Sequence, residues 1–275
     1  MKKHLLGLLT VAAFCSAVLL AASREKSDTL AIGPIEYRVT YAARVVNDTT
    51  ATPYVYKDDQ MRLDIGKQTS RFYSRMNEIK DSTLYAYVAH GNFDLRSLPA
   101  RGAISWQFFK GYPQADRTTL LTTVGMTSYQ VVEKVEAPAW QLVPDSAATI
   151  MGYACHLAMA TFKGRVWKAW YSEDLPLDFG PWKLYGLPGL VLKAYDAQHQ
   201  YEFTGVGLQK LSGASQILFI DQKAETVSAE TLRKAVLHYD PAAELASRGI
   251  KMSDESGHPL TSTFWNKRKS NPIER

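Results

Sequence analysis

The sequence is short of the residues that cross-link a fold or ligate a metal. It has two cysteines, Cys15 and Cys155, and the first falls in an amino-terminal segment with the marks of a leader. With that leader gone one thiol remains, so no intramolecular disulfide staples the fold and stability rests on the core. Of the histidines, His90, His199, His238 and His258 stand singly, and no spacing sets two on one face as a zinc site requires. Charge of one sign is also scarce. The formal net charge of +5 falls to +3 once Lys2 and Lys3 leave, because the first 22 residues contain no acid. That is too weak a field for a nucleic-acid footprint. The one basic cluster, Lys267-Arg268-Lys269, reads as a solvated tail. No phosphate-cradling loop or cofactor motif is present, and no cofactor, metal or nucleic acid is expected.

Long hydrophobic runs are confined to the start of the chain. Lys2 and Lys3 precede the apolar stretch Leu5 to Leu20, and Ala21-Ala22-Ser23 supplies the small residues of a cleavage site. The reading is a signal peptide over residues 1–22 and one β-rich domain over residues 23–275 with no transmembrane segment. The competing reading is a retained anchor, since the apolar run is about the minimum that spans a bilayer. Phe14 stands before Cys15 where a lipid-attachment signal wants a small residue. Export follows, to the periplasm, the outer membrane or beyond.

What the chain has in abundance is alternation. Ile35, Tyr37, Val39 and Tyr41 alternate with Glu36, Arg38 and Thr40, and Met61, Leu63 and Ile65 alternate with Arg62 and Asp64. A period of two buries one face of a strand and wets the other. Gly66-Lys67 reads as a turn into a strand at Ser70 to Tyr73. Further strands are expected at Leu84 to Ala89, Ile104 to Phe109, Leu120 to Val124, Tyr129 to Val135 and Trp140 to Val143. A hairpin is expected where Ala154 to Phe162 reverses at Lys163-Gly164 into Arg165 to Tyr171. Trp167 and Trp170 lie an odd number of residues apart, so one enters the core and the other needs a second apolar surface. Near the end, Ser228 is placed to cap a helix over Thr231 to Tyr239, with Leu232, Ala235, Val236 and Tyr239 at helical spacing and Pro241 as its stop. Strands this close, without helical crossovers, predict a curved antiparallel meander sheet or open barrel with one C-terminal helix packed on it.

The densest local signal is Gly180 to Leu192. Pro188 suits the second position of a β-turn and Gly189 the positive φ that a type II turn needs at its third. Leu190 to Tyr195 then runs as a strand, and Asp196 to His199 turns it back into Gln200 to Leu208. Within this corner Gly186-Leu187-Pro188-Gly189-Leu190-Val191 matches the motif that names the GLPGLI family of exported bacterial proteins, with Val191 in place of the last isoleucine. Gly152-Tyr153-Ala154-Cys155, the run Phe162 to Tyr171, and Asn271-Pro272-Ile273-Glu274 resemble the same family. The resemblance implies export from a Gram-negative cytoplasm and no settled biochemical activity, and it carries over no catalytic residue. A curved sheet closed by a helix is similar in outline to periplasmic lipoprotein carriers, a likeness of fold alone.

Candidate chemistry is sparse. Cys155 and His156 are adjacent, but neighbours on a strand point to opposite faces and cannot hydrogen-bond directly. Met151 and Met159 are soft enough for copper and equally suited to fill core gaps. Glu173, Asp174 and Asp178 lie in a loop where acids are usually solvated, and no second group is in view to tune one of them. The aromatic set is more telling, with Trp167, Trp170, Trp182 and Tyr185 as the candidate binding residues, because indoles and phenols anchor β cores and docking surfaces alike. Two functions remain open. One is a non-catalytic envelope module for an apolar small molecule or a partner protein; the other is an envelope or extracellular hydrolase using the Glu173 to Asp178 loop or Cys155.

Overall fold

A computed structural model describes residues 29–91, 95–212, 214–249 and 271–275. The expectations for the leader, Cys15, His258 and Lys267-Arg268-Lys269 lie outside the described residues. The chain opens with β1 (Thr29–Pro34), β2 (Tyr37–Val46), β3 (Tyr56–Ile65) and β4 (Ser70–Ser74), then helix α1 (Arg75–Ala89). A short 3-10 turn (Leu95–Ser97) leads to β5 (Gln107–Lys110), β6 (Arg117–Val124), β7 (Thr127–Lys134), β8 (Gln141–Leu142) and β9 (Ala148–Ile150). The long hairpin follows as β10 (Tyr153–Phe162) and β11 (Arg165–Ser172), then β12 (Leu190–Asp196), β13 (Tyr201–Lys210), β14 (Gln216–Ile220) and β15 (Glu225–Thr226). Helices α2 (Ala229–Leu237) and α3 (Pro241–Ser247) come next.

All strands but β1 and β14 form one large sheet in the order β15-β7-β6-β5-β4-β3-β2-β13-β12-β11-β10-β8, with β9 paired to β10. Every pairing is antiparallel except that of β15 with β7, and the sheet is mainly antiparallel and not closed into a barrel. Alternation builds its core face as read from the sequence. Val39, Tyr41, Ala43 and Val45 of β2 are buried beside Met61, Leu63 and Ile65 of β3, with Tyr41 opposite Met61 and Val39 opposite Leu63. The other face is covered locally by the two-stranded β1–β14 ribbon, which lays Phe219 against Phe109 and Tyr112.

Four expectations are corrected. Leu84 to Ala89, rich in strand formers, lies in α1. The helix is nucleated upstream, where the Ser74 hydroxyl accepts from the Asn77 amide at 3.1 Å and Glu78 sits in the first turn, and no breaker intervenes before Gly91. Pro241 does not merely end α2 but starts α3, at the first-turn position behind the Asp240 cap, where a missing N–H costs nothing. Gly189 does not take the left-handed conformation expected of it, whereas Gly186 does, at φ 90°. What requires glycine at 189 is proximity: a Cβ there would stand 2.0 Å from the Ser172 carbonyl oxygen and 2.5 Å from its carbon. The expected strand from Ile104 begins only at Gln107.

Candidate functional site

Between β11 and β12 the chain crosses the core face and joins the two halves of the sheet. The first residues of β12 tie back to the start of the loop: the Leu190 amide donates to the Leu175 carbonyl at 2.9 Å, and the Val191 amide to the Phe179 carbonyl at 3.0 Å. From this loop Asp178 meets Lys110 of β5 at 3.1 Å and accepts from the Gly186 amide. The Lys110 ammonium also lies 4.3 Å from the centre of the Tyr185 ring, a cation–π contact. Lys183, nearly buried, reaches Glu133 of β7 at 2.6 Å and Glu274 at 2.8 Å. The Trp140 indole donates to the Tyr185 carbonyl at 2.8 Å.

Three of the four candidate aromatic residues sit in this assembly as core. Trp167, Trp182 and Tyr185 are 0%, 1% and 2% exposed. Trp167 and Trp182 lie ring to ring at 5.6 Å, and Phe162 packs on Trp182 at 5.9 Å. Trp170, on the opposite face of β11, is half-buried. Of the signature, Leu187 and Leu190 are buried in the same core, and Gly186, Pro188 and Gly189 form the corner.

At the other end of β11 lies a feature with no forecast in the sequence. Arg165 and Asp196 face each other at 3.0 Å with both side chains 0% exposed. An unpaired charge there would be prohibitively costly, and the site satisfies it by hydrogen bonds. Arg165 donates to Asp196, Gln200, the Asn271 side chain, and the Pro272 and Ile273 carbonyls. The second Asp196 oxygen accepts from the Gln200 and Tyr201 amides, each at 2.7 Å. Burial pulls the guanidinium down from its ordinary value, opposed by the Asp196 charge; an arginine stays protonated regardless.

Above these contacts is a cavity of about 610 Å³ between the core face and α2. Trp106, Leu120 and Val131 line it from the sheet side, Leu232 and Val236 from α2, and Ile273 from the tail. The rim carries Arg101, Arg233 and Arg275 beside Glu133, Glu230 and Glu274. Helix α2 begins where expected, with the Ser228 hydroxyl accepting from the Thr231 amide at 3.1 Å, but none of its residues is fully buried. Its apolar stripe faces open space over the sheet.

The remaining candidates do not converge. Cys155 is buried while His156 is exposed, as opposite strand faces require. Burial raises the Cys155 thiol above its ordinary value, which keeps it a protonated, weak nucleophile. Glu173 and Asp174 are exposed, and Asp178 is engaged by Lys110. Among the described residues no group of three His, Cys, Asp or Glu side chains is placed to hold a metal ion, and no helix is long and apolar enough to cross a membrane.

No family model matches the chain, and no curated protein matches it. Solved structures similar to it are distant. PNGF-II shares 12% identity at a TM-score of 0.49, the alignment covering 74% of this chain and 33% of that one. MucB in complex with MucA(peri) shares 10% at 0.32, covering 74% and 57%. A DUF1329 family protein from Desulfovibrio piger shares 10% at 0.25, covering 73% and 94%. The chain thus spans about a third of the length of PNGF-II, and no residue role passes from these proteins to this one.

Proposed function

We propose that this is an exported envelope protein of the GLPGLI type, a single domain over residues 23–275 behind a signal peptide at 1–22, that binds an apolar small molecule between its sheet and α2. The cavity carries this reading. Its volume of about 610 Å³ falls in the range of small-molecule sites, and its wall is mainly apolar with charge at the rim. An amphipathic helix lying directly on a sheet buries its apolar stripe; α2 leaves Leu232 and Val236 half-buried over a gap. An apolar ligand completes that burial, at roughly 25 cal/mol for each Å² removed from water. In this reading Trp167, Trp182 and Tyr185 serve binding by holding the sheet's curl, and Trp170 is left to a contact on the outer face.

The test is titration with a fluorescent fatty-acid probe of the wild type and of Leu120→Trp and Val236→Trp, which put an indole into the cavity. Saturable binding that both variants lose supports the proposal. Wild-type affinity in both, or no binding by the wild type, refutes it.

A further inference from the structure

The segment Asn271 to Arg275 is seated in the protein as a ligand is seated in a receptor. Asn271 is read at both ends of its amide, its oxygen accepting from Arg165 at 2.7 Å and its nitrogen donating to the Val46 carbonyl at 2.7 Å. Its own carbonyl accepts from the Tyr201 hydroxyl at 2.6 Å. The Pro272 and Ile273 carbonyls accept from Arg165 at 2.7 and 2.9 Å, and the Ile273 side chain enters the core. Glu274 pairs with Lys183 at 2.8 Å. Four consecutive residues are therefore recognised, two of them through their side chains, an amide read as both donor and acceptor and a carboxylate in an ion pair.

Part of the receiving side is held independently of them. Asp196, which orients Arg165, is itself held by the Gln200 and Tyr201 amides inside the β12–β13 turn. Among the described residues, main-chain pairing of the segment with the rest of the fold is limited to the Arg275 amide on the Lys163 carbonyl at 3.0 Å. Residues 250–270 separate it from α3, a length of chain that reaches up to about 70 Å when extended. The segment is thus held mainly by side chains of the groove, and a connection of this length permits docking in cis or in trans.

We propose that the groove of Arg165, Gln200, Tyr201 and Lys183 is a peptide-binding site for an Asn-Pro-Ile-Glu segment, filled by the chain's own residues 271–274 and open to the same segment of a second copy. Removing the segment strips Arg165 of three of its five acceptors, leaving Asp196 and Gln200, and an incoming segment restores them.

The experiment uses the full chain with Asn271→Ala, which weakens cis docking, titrated with a labelled Asn-Pro-Ile-Glu-Arg peptide. Saturable one-to-one binding is expected, at least about tenfold tighter than to the wild type, whose groove is occupied, and about tenfold weaker for a peptide with Ala in place of Asn. Mixing Asn271→Ala with Arg165→Gln, one with an intact groove and the other with an intact segment, yields a heterodimer in sedimentation. A folded Asn271→Ala that ignores the peptide, or binds the Ala peptide equally well, overturns the proposal. Glu274→Gln serves in its place if Asn271→Ala does not fold; loss of folding in both overturns it too, since the segment is then inseparable from the core.

Discussion

Replacing Gly189 with alanine isolates one physical cause. The new methyl carbon would stand 2.0 Å from the Ser172 carbonyl oxygen, 2.5 Å from the carbonyl carbon and 3.0 Å from the Glu173 nitrogen. An ordinary carbon–oxygen contact is about 3.3 Å or longer, so the two backbones must part by more than about 1 Å. All three neighbours are main chain, and no side chain can swing aside. Parting them disturbs the Leu190 to Leu175 and Leu175 to Ser172 hydrogen bonds that close the corner. One lost hydrogen bond at about 1 kcal/mol and overpacking strain of about 1–3 kcal/mol give a destabilisation near 3 kcal/mol. For a domain of this size that lowers Tm by roughly 6–12 °C, read by calorimetry or circular dichroism. Asparagine separates this cause from backbone conformation, because it tolerates positive φ better than alanine does. Gly189→Asn is expected to be no better than Gly189→Ala. Wild-type melting of the alanine variant, or clear rescue by asparagine, would refute the reasoning.

Arg165→Met leaves the Asp196 charge buried without its partner and is expected to cost about 3–5 kcal/mol in urea denaturation, whereas Arg165→Met with Asp196→Leu costs well under the sum of the two single changes; strict additivity would contradict the pairing. Alkaline stability is set by buried phenols: burial pushes Tyr73 and Tyr185 up to about 12 and raises Tyr41 and Tyr201 as well. An unfolded tyrosine ionises near pH 10 while these folded ones stay protonated, so the native state binds more protons and stability falls as pH rises. The fall is expected between about pH 10 and pH 12, at roughly 1 kcal/mol per pH unit for each phenol so displaced, and a urea midpoint unchanged from pH 9 to pH 11.5 would contradict it.

The strands were legible because a sheet with one buried face writes a period of two directly into the chain, as Val39 to Val45 and Met61 to Ile65 show. The β10–β11 hairpin was legible for the same reason, and its reversal falls at Lys163-Gly164 as read. Helix α1 was missed because Tyr85, Tyr87 and Val88 weigh toward strand, although Ser74 and Glu78 already offered a cap and an acidic first turn. The corner was visible as a motif but its cause was not, since the contact of Gly189 with Ser172 exists only after the loop has folded back. Arg165 and Asn271 were noticed separately within family-like stretches. Nothing local marks either as buried, because their burial comes from each other and from Asp196. The cavity has no sequence signal at all: it is a separation between α2 and the sheet, and patterning reports which face is apolar, not how far away its partner stands.

The loop from β11 to β12 is strung across the sheet like the cord of a bow. It is tied at Lys110 and Lys183 to strands β5 and β7, far along the order from the β11–β12 pair that anchors its ends. Its length therefore sets how tightly the sheet bends, and with that the width of the chamber beneath α2. Lengthening or shortening the cord by a residue would alter the width of that chamber while leaving every wall residue unchanged.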